Sequence, residues 1–310
     1  MMMFADTTRG KPFSKDPAVI EFGGRYLMYY SLPPFRDGRE SDGWRIGIAA
    51  STDLDTWQRV GEIPPLSPCD RNGLCAPGAI VLDGRVHIFY QTYGNQTNDA
   101  ICHAVSADGI SFIPNRTNPI FAPTGDWTCG RAIDADVIAH DGLLFLYFST
   151  RDPAMRIQMT GVATAPLASD FSRDMWTQRC DAPILHPELP WEGECIEASA
   201  LCRHAGKFYM FYAGAYNNWP QQIGCAVSCD GLQWQRVSDQ PILPNGAAGT
   251  WNSSESGHPY VFEAHDGTCH LFFQGNNDHG RTWYLSRRII HWQDGIPYVE
   301  DQNRLPYRSS

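Results

Sequence analysis

Residues 134–152 read DADVIAHDGLLFLYFSTRD. An acidic residue opens a short apolar run, an Asp-Gly pair breaks it at 141–142, and a run rich in aromatics follows. Period-2 alternation and enrichment in β-branched and aromatic residues mark both runs as strands, and Asp-Gly between them marks a tight hairpin. The same grammar recurs outward in both directions. It appears as DPAVIEFGGRYLMYYS at 16–31, APGAIVLDGRVHIFYQTYG at 76–94, EASALCRHAGKFYMFYAGAY at 197–216 and GHPYVFEAHDGTCHLFFQG at 257–275. Each hairpin is followed by a variable loop, a strand of small residues such as WRIGIAAS or IGCAVS, and in most units a turn leading to an aromatic. Units beginning near 16, 78, 134, 197 and 258 are separated by 62, 56, 63 and 61 residues. No amphipathic helix of three turns interrupts them. Five repeats of four strands predict an all-β chain folded as one five-bladed β-propeller domain over residues 1–310, which manages its sheet edges by radial repetition around a channel.

Composition agrees with a large buried core: 43% of the 310 residues are hydrophobic and only 19% are charged, which excludes disorder as the main state. The net charge of -10 gives a surface field that repels polyanions, so nucleic acid is not an expected partner. No run reaches the roughly 18 apolar residues of a membrane span, and MMMFADTTRGKPFSKD lacks the basic and apolar regions of a secretory signal. The expectation is a chain without a membrane partner, cytoplasmic or secreted with its signal already removed. Ten cysteines form no CxxC pair and no zinc spacing, and several sit inside strand runs, where buried free thiols are the plain expectation. Cys69 and Cys75, close together in one connection, are the pair to examine for a bridge.

A meandering blade alternates the face on which its connections lie, and this sorts the carboxylates. Asp83, Asp141 and Asp266 fall in turns between first and second strands, and Asp53, Asp55, Asp108 and Asp230 in turns before the fourth-strand aromatic. Both sets belong to one face, where turn chemistry accounts for them. Three acids remain that open innermost strands on the other face: Asp16, Asp134 and Glu197. The ring forces them together at one mouth of the channel, where a cluster of like charges implies function or a neutralising cation.

These residues resemble the family-43 glycoside hydrolases and their five-bladed relatives, in which Asp-Pro, Ile-Asp and a Glu followed by small residues and Leu open successive blades. Here the similar stretches are Asp16-Pro17, Ile133-Asp134 and Glu197-Ala198-Ser199-Ala200-Leu201. The chain departs from the family at Ala198-Ser199, where Gly-Pro is usual. The resemblance implies an inverting hydrolase of arabinofuranosidase, xylosidase or galactosidase type, and the 32–44 loop with the apparent lack of export favours small oligosaccharides and an exo mode. It makes Asp16 the general base, Glu197 the general acid and Asp134 the residue that orients the acid and keeps its pKa high. Inversion requires the two reacting carboxyl groups to stand roughly 6.5–9.5 Å apart. Glu194, in a Glu-Cys pair similar to that of fructan-cleaving relatives, is an alternative acid.

Loops on the same face are expected to supply substrate contacts: Phe35, Arg36, Arg39 and Trp44 from the 32–44 loop, then Tyr93, Arg151, Asn217, Asn218, Trp219, Asn276 and Asn277. Aromatic faces and amides suit an oligosaccharide or glycoside. Of these, Phe35, Trp44, Arg151, Trp219 and Asn217 are the leading substrate-binding candidates. His258 opens the fifth blade, and the resemblance implies no required cofactor but a structural calcium ion in the channel near that histidine. Two alternatives stay open: a carbohydrate-binding propeller without catalysis, and a glycoside phosphorylase drawing its cationic side chains from Arg36, Arg39 and Arg151.

Overall fold

The computed structural model describes residues 2–39 and 42–299, so Glu40 and Ser41 of the 32–44 loop lie outside the described residues. Five antiparallel sheets make a five-bladed β-propeller with four antiparallel strands per blade. The innermost strands are Lys15–Phe22, Leu74–Leu82, Ile133–His140, Ile196–His204 and Glu255–Glu263. Each packs against the innermost strands of the blades on either side, which closes the ring. No helix among the described residues is long and apolar enough to cross a membrane.

Ring closure uses a piece of chain that the repeat does not contain. Met3–Phe4 pairs antiparallel with Tyr284–Gln293, so the N-terminus supplies an outer strand to the last blade. Ile296–Val299 pairs antiparallel with the far end of the same strand, at residues 290–293. Two residues are too short to show periodicity, and the sequence therefore gave no sign of this strand.

Within each blade the rings of the second strand fill the space beside the third. The hydroxyls of Tyr30, Tyr90 and Tyr212 donate to buried carboxylates of Asp6, Asp70 and Glu192, each lying in the connection before its blade. Glu192 also accepts from Arg236 Nε and Nη2, both at 2.8 Å, and from the backbone N–H of Glu188 and Leu189. Burial pushes its carboxyl up, but these donors outweigh it and hold the group below the usual range. Glu192→Gln keeps the shape and removes the charge opposite Arg236. Its expected cost is about 2 kcal/mol, read as a lower urea midpoint with an unchanged slope.

Strand pairing also fixes the repeat more finely than sequence spacing does. The register slips once in every innermost strand, between Lys15 and Ala18, Cys75 and Gly78, Ile133 and Asp136, Glu197 and Ala200, and Gly257 and Tyr260. The first bulged residue in each case, Asp16, Ala76, Asp134, Ala198 or His258, has φ between +41° and +55°. The second blade therefore aligns on Ala76, not residue 78, and Glu197 is not at the position of Asp16 and Asp134. It stands one residue earlier, level with Lys15. A bulge bends the strand and re-aims its side chains, and here it turns both positions toward one end of the channel.

Candidate active site

The left-handed backbone at each bulge costs on the order of 1–3 kcal/mol and persists only where its surroundings fix it. The fixing contact is a side chain on the second strand of the blade before. The N–H of Asp16 donates to Gln274 Oε1 at 3.0 Å, that of Ala76 to Ser31 Oγ at 2.8 Å, that of Asp134 to Gln91 Oε1 at 2.8 Å and that of Ala198 to Ser149 Oγ at 3.1 Å. In the fourth blade the corresponding residue is Ala213, which has no acceptor to offer His258.

The bulges surround a cavity of about 350 Å³. Asp16, Asp134 and Glu197 all line it, with Trp44, Arg151, Asn217, Tyr93 and His258 from the sequence expectations. Phe35 does not. Its ring lies between the guanidinium groups of Arg9 and Arg39, 3.6 and 3.5 Å from its centre, and Arg39 is tied to Asp37 at 2.6 Å. Trp219 is 80% exposed and outside the lining, and Arg36, Asn218 and the buried Asn276 lie outside it as well. Glu194 is exposed, 3.4 Å from Arg156, and does not reach the cavity. Cys75 lines the cavity while Cys69 lies elsewhere, and both are free thiols, so the bridge between them does not form.

The carboxyls differ sharply in their surroundings. Asp16 Oδ1 faces Lys15 Nζ at 3.8 Å and His258 Nδ1 at 3.1 Å. Burial raises its pKa, but Lys15, His258 and a hydrogen bond from Ser31 outweigh burial and hold it below the usual carboxylate range. Asp134 goes the other way. Burial pushes it well up, and the neighbouring Glu197 and Asp16 push in the same direction against the weaker pull of Arg131 and Lys15. Glu197 is gripped by amides. Gln221 Nε2 and Asn217 Nδ2 donate to Oε1 at 2.6 and 3.1 Å, and Gln158 Nε2 donates to Oε2. Arg151 Nε in turn donates to Gln158 Oε1 at 2.8 Å, so Arg151 orients Glu197 through Gln158 while Asn217 holds it directly.

Four groups escaped the sequence reading. Lys15 is half-buried with its ammonium 4.7 Å from the centre of the Trp283 ring, and it stays cationic because Asp16, Glu255, Glu197 and Asp134 together outweigh the effect of burial. Glu255 opens the fifth innermost strand and is pushed up to about 8, chiefly by burial. Gln158 and Gln221 lie at the start of their third strands. The face rule that selected Asp16 applies equally to the beginning of a third strand, but it was used only for acids.

His258 lines the cavity beside Asp16, and burial, its largest influence, lowers its pKa. Among the described residues no three His, Cys, Asp or Glu side chains converge as a metal cage. The cation that does face Asp16 is the Lys15 ammonium.

The turn acids behave as turn acids. Asp53, Asp108 and Asp230 each accept from a Ser hydroxyl two residues earlier and from two following backbone N–H groups. Those backbone bonds hold Asp53 and Asp108 down at about 2.

A sequence model of glycosyl hydrolases family 43 matches residues 10–297. Among curated proteins, a 1,2-beta-oligomannan phosphorylase of Thermoanaerobacter sp. (strain X514) is 28% identical over 209 residues, which is 65% of this chain and 64% of that one. A beta-1,2-mannobiose phosphorylase of the same organism is 28% identical over 139 residues, 39% of this chain and 43% of that one. The chain thus spans less than two thirds of the length of these curated relatives. Among solved structures, a thermostable family-43 glycoside hydrolase superposes with a TM-score of 0.76 at 23% identity, covering 96% of both chains. An alpha-L-arabinofuranosidase from Lactobacillus brevis gives 0.70 at 16% identity, again over 96% of both. At these identities the two structures speak for the fold.

Proposed function

Because this chain belongs to glycosyl hydrolases family 43, we propose that its cavity cleaves a glycosidic bond of a small oligosaccharide or glycoside by hydrolysis with inversion. The observation that carries the reading is one cavity shared by three carboxyls in different surroundings: Asp16 is held ionised beside Lys15 and His258, and Asp134 is pushed toward its protonated form beside Glu197. Pairs of acids driven apart by their surroundings are how one site performs base and acid chemistry at one pH.

In this reading Asp16 accepts a proton from water as the water attacks the anomeric carbon. Glu197 delivers a proton to the departing oxygen from the opposite side of the ring. The amides of Gln158, Asn217 and Gln221 keep the Glu197 carboxyl in one orientation. Asp134 orients the acid and keeps a proton within its reach: burial, with the neighbouring Glu197 and Asp16, pushes the Asp134 carboxyl well up beside Glu197. Trp44 and Tyr93, with ring centres 5.6 Å apart, offer an aromatic wall for a sugar face. The cavity lies at the small end of ligand sites, which favours removal of one terminal sugar, of arabinofuranosyl, xylosyl or galactosyl type, over internal cleavage.

The curated phosphorylases favour a second reading, in which phosphate replaces water. Lys15, Arg131 and Arg151 are the cationic side chains at the cavity that would meet it. One assay separates the readings. A panel of nitrophenyl glycosides is followed with and without inorganic phosphate, and the product is taken by proton NMR in the first minutes. Hydrolysis predicts a rate independent of phosphate and a free sugar of inverted configuration. A sugar 1-phosphate appearing only with phosphate establishes the second reading, a retained configuration removes Asp16 as a base acting on water, and no release from any glycoside leaves a binding propeller.

A further inference from the structure

Outside the cavity, Cys69 Sγ and Cys102 Sγ stand 3.6 Å apart. Cys69 belongs to the short turn Pro68–Asp70 in the connection between the first two blades, and Cys102 to the third strand Ile101–Ser106 of the second blade. Both are free, Cys69 half-buried and Cys102 buried. The connection is built tightly. Asp70 Oδ1 accepts the N–H groups of Leu66 and Ser67, Oδ2 accepts the Tyr90 hydroxyl, and Asn95 Nδ2 donates to the carbonyl of Cys69. It leads directly into the aromatic wall of the cavity: Tyr93 N–H donates to the Gly73 carbonyl at 2.8 Å and Leu74 N–H to the Trp44 carbonyl at 3.0 Å.

We propose that Cys69 and Cys102 are a dithiol–disulfide couple that reacts with low-molecular-weight disulfides such as oxidised glutathione, and that its oxidised form staples this connection to the second blade. The Cys69 thiolate attacks one sulfur of the small disulfide. That S–S bond breaks, a mixed disulfide forms on Cys69 and one small thiolate leaves. The Cys102 sulfur then attacks the Cys69 sulfur, its proton passing to the second departing thiolate. Two protein thiols are oxidised to one disulfide, and one small disulfide is reduced to two thiols. Closing from 3.6 Å to a bond of about 2.05 Å asks for a small shift of a surface turn. The division of roles follows the surroundings. Cys69 is half-buried and meets a small disulfide from solvent, while Cys102 is buried behind it, so Cys69 attacks first and Cys102 resolves.

The test uses the full chain carrying Cys229→Ser, which removes the exposed thiol on another blade. After incubation with oxidised glutathione, peptides mapped without reduction are expected to contain Cys69 linked to Cys102, with the protein mass lower by about 2 Da. Tm is expected to rise on the order of 5 °C and to return with dithiothreitol. In this background Cys102→Ser is expected to stop at a stable glutathione adduct on Cys69, and Cys69→Ser to abolish the Tm shift. A persistent adduct on Cys69 with Cys102 present overturns the proposal. So does a pair that stays reduced under oxidant that converts the same cysteines in unfolded chain, or a linked product with unchanged Tm.

Discussion

Glu197→Gln is expected to lower kcat on an oligosaccharide or alkyl glycoside by about 10³-fold, and Asp16→Asn by as much or more, with far-UV spectra and Tm close to those of the parent. The two losses are expected to differ in kind. A dinitrophenyl leaving group departs without a proton, so Glu197→Gln should recover most of its activity on such a glycoside. Asp16→Asn should not, because attack by water still lacks its base. The pH profile separates them as well. The parent loses activity at low pH as Asp16 becomes protonated, and that limb lies below the ordinary carboxylate range because Lys15, His258 and Ser31 outweigh burial. Steady-state rates on nitrophenyl, dinitrophenyl and unactivated substrates across pH make the comparison. Equal recovery of both variants on the activated substrate would remove the assignment of separate acid and base, and full activity in both would remove these residues from catalysis altogether.

What made these acids visible before any coordinates was topology. A propeller gathers the starts of its innermost strands at one mouth, so Asp16 and Asp134 became neighbours once the five repeats were aligned. The alignment was one residue loose at Glu197, because a bulge inserts a residue without disturbing hydrophobic alternation, and only strand pairing reveals that Glu197 is level with Lys15. The positive φ of Asp16 and Asp134 was equally hidden, since it rests on Gln274 and Gln91, residues that read as ordinary strand positions. Lys15 went unnoticed because a lysine before a strand usually reaches solvent. Here it turns inward instead, toward the acids around it and the Trp283 ring, which is more than 260 residues away in sequence. Loop residues were the least legible. Trp44 reaches the cavity and Phe35, nine positions before it in the same loop, is held away by two arginines. No local pattern distinguishes those outcomes.

Burial of a carboxyl close to the axis also bears on stability, and Asp136→Asn exposes it. Asp136 lies two residues beyond Asp134 on the innermost strand of the third blade, fully enclosed, with Oδ2 accepting the N–H of Leu201 from the fourth blade at 2.8 Å. Burial pushes its carboxyl up to about 7, and the N–H groups of Leu201 and Val137 only partly oppose the shift. The sign follows from the raised value. Below about pH 4 the group is protonated folded or unfolded and costs nothing. Between about 4 and 7 the unfolded chain releases its proton while the native state keeps it, so stability falls with rising pH, and above about 7 the loss is complete. A shift of roughly three pKa units corresponds to up to about 4 kcal/mol. Asparagine keeps the acceptor for Leu201 and does not titrate. Asp136→Asn is therefore expected to match the parent near pH 4 and to exceed it at pH 8, with Tm higher by about 5 °C or more. Calorimetry of both proteins from pH 4 to 8 decides the matter. A variant less stable than the parent at pH 8 would mean that the native site favours the carboxylate, and that the two N–H donors, not burial, govern Asp136.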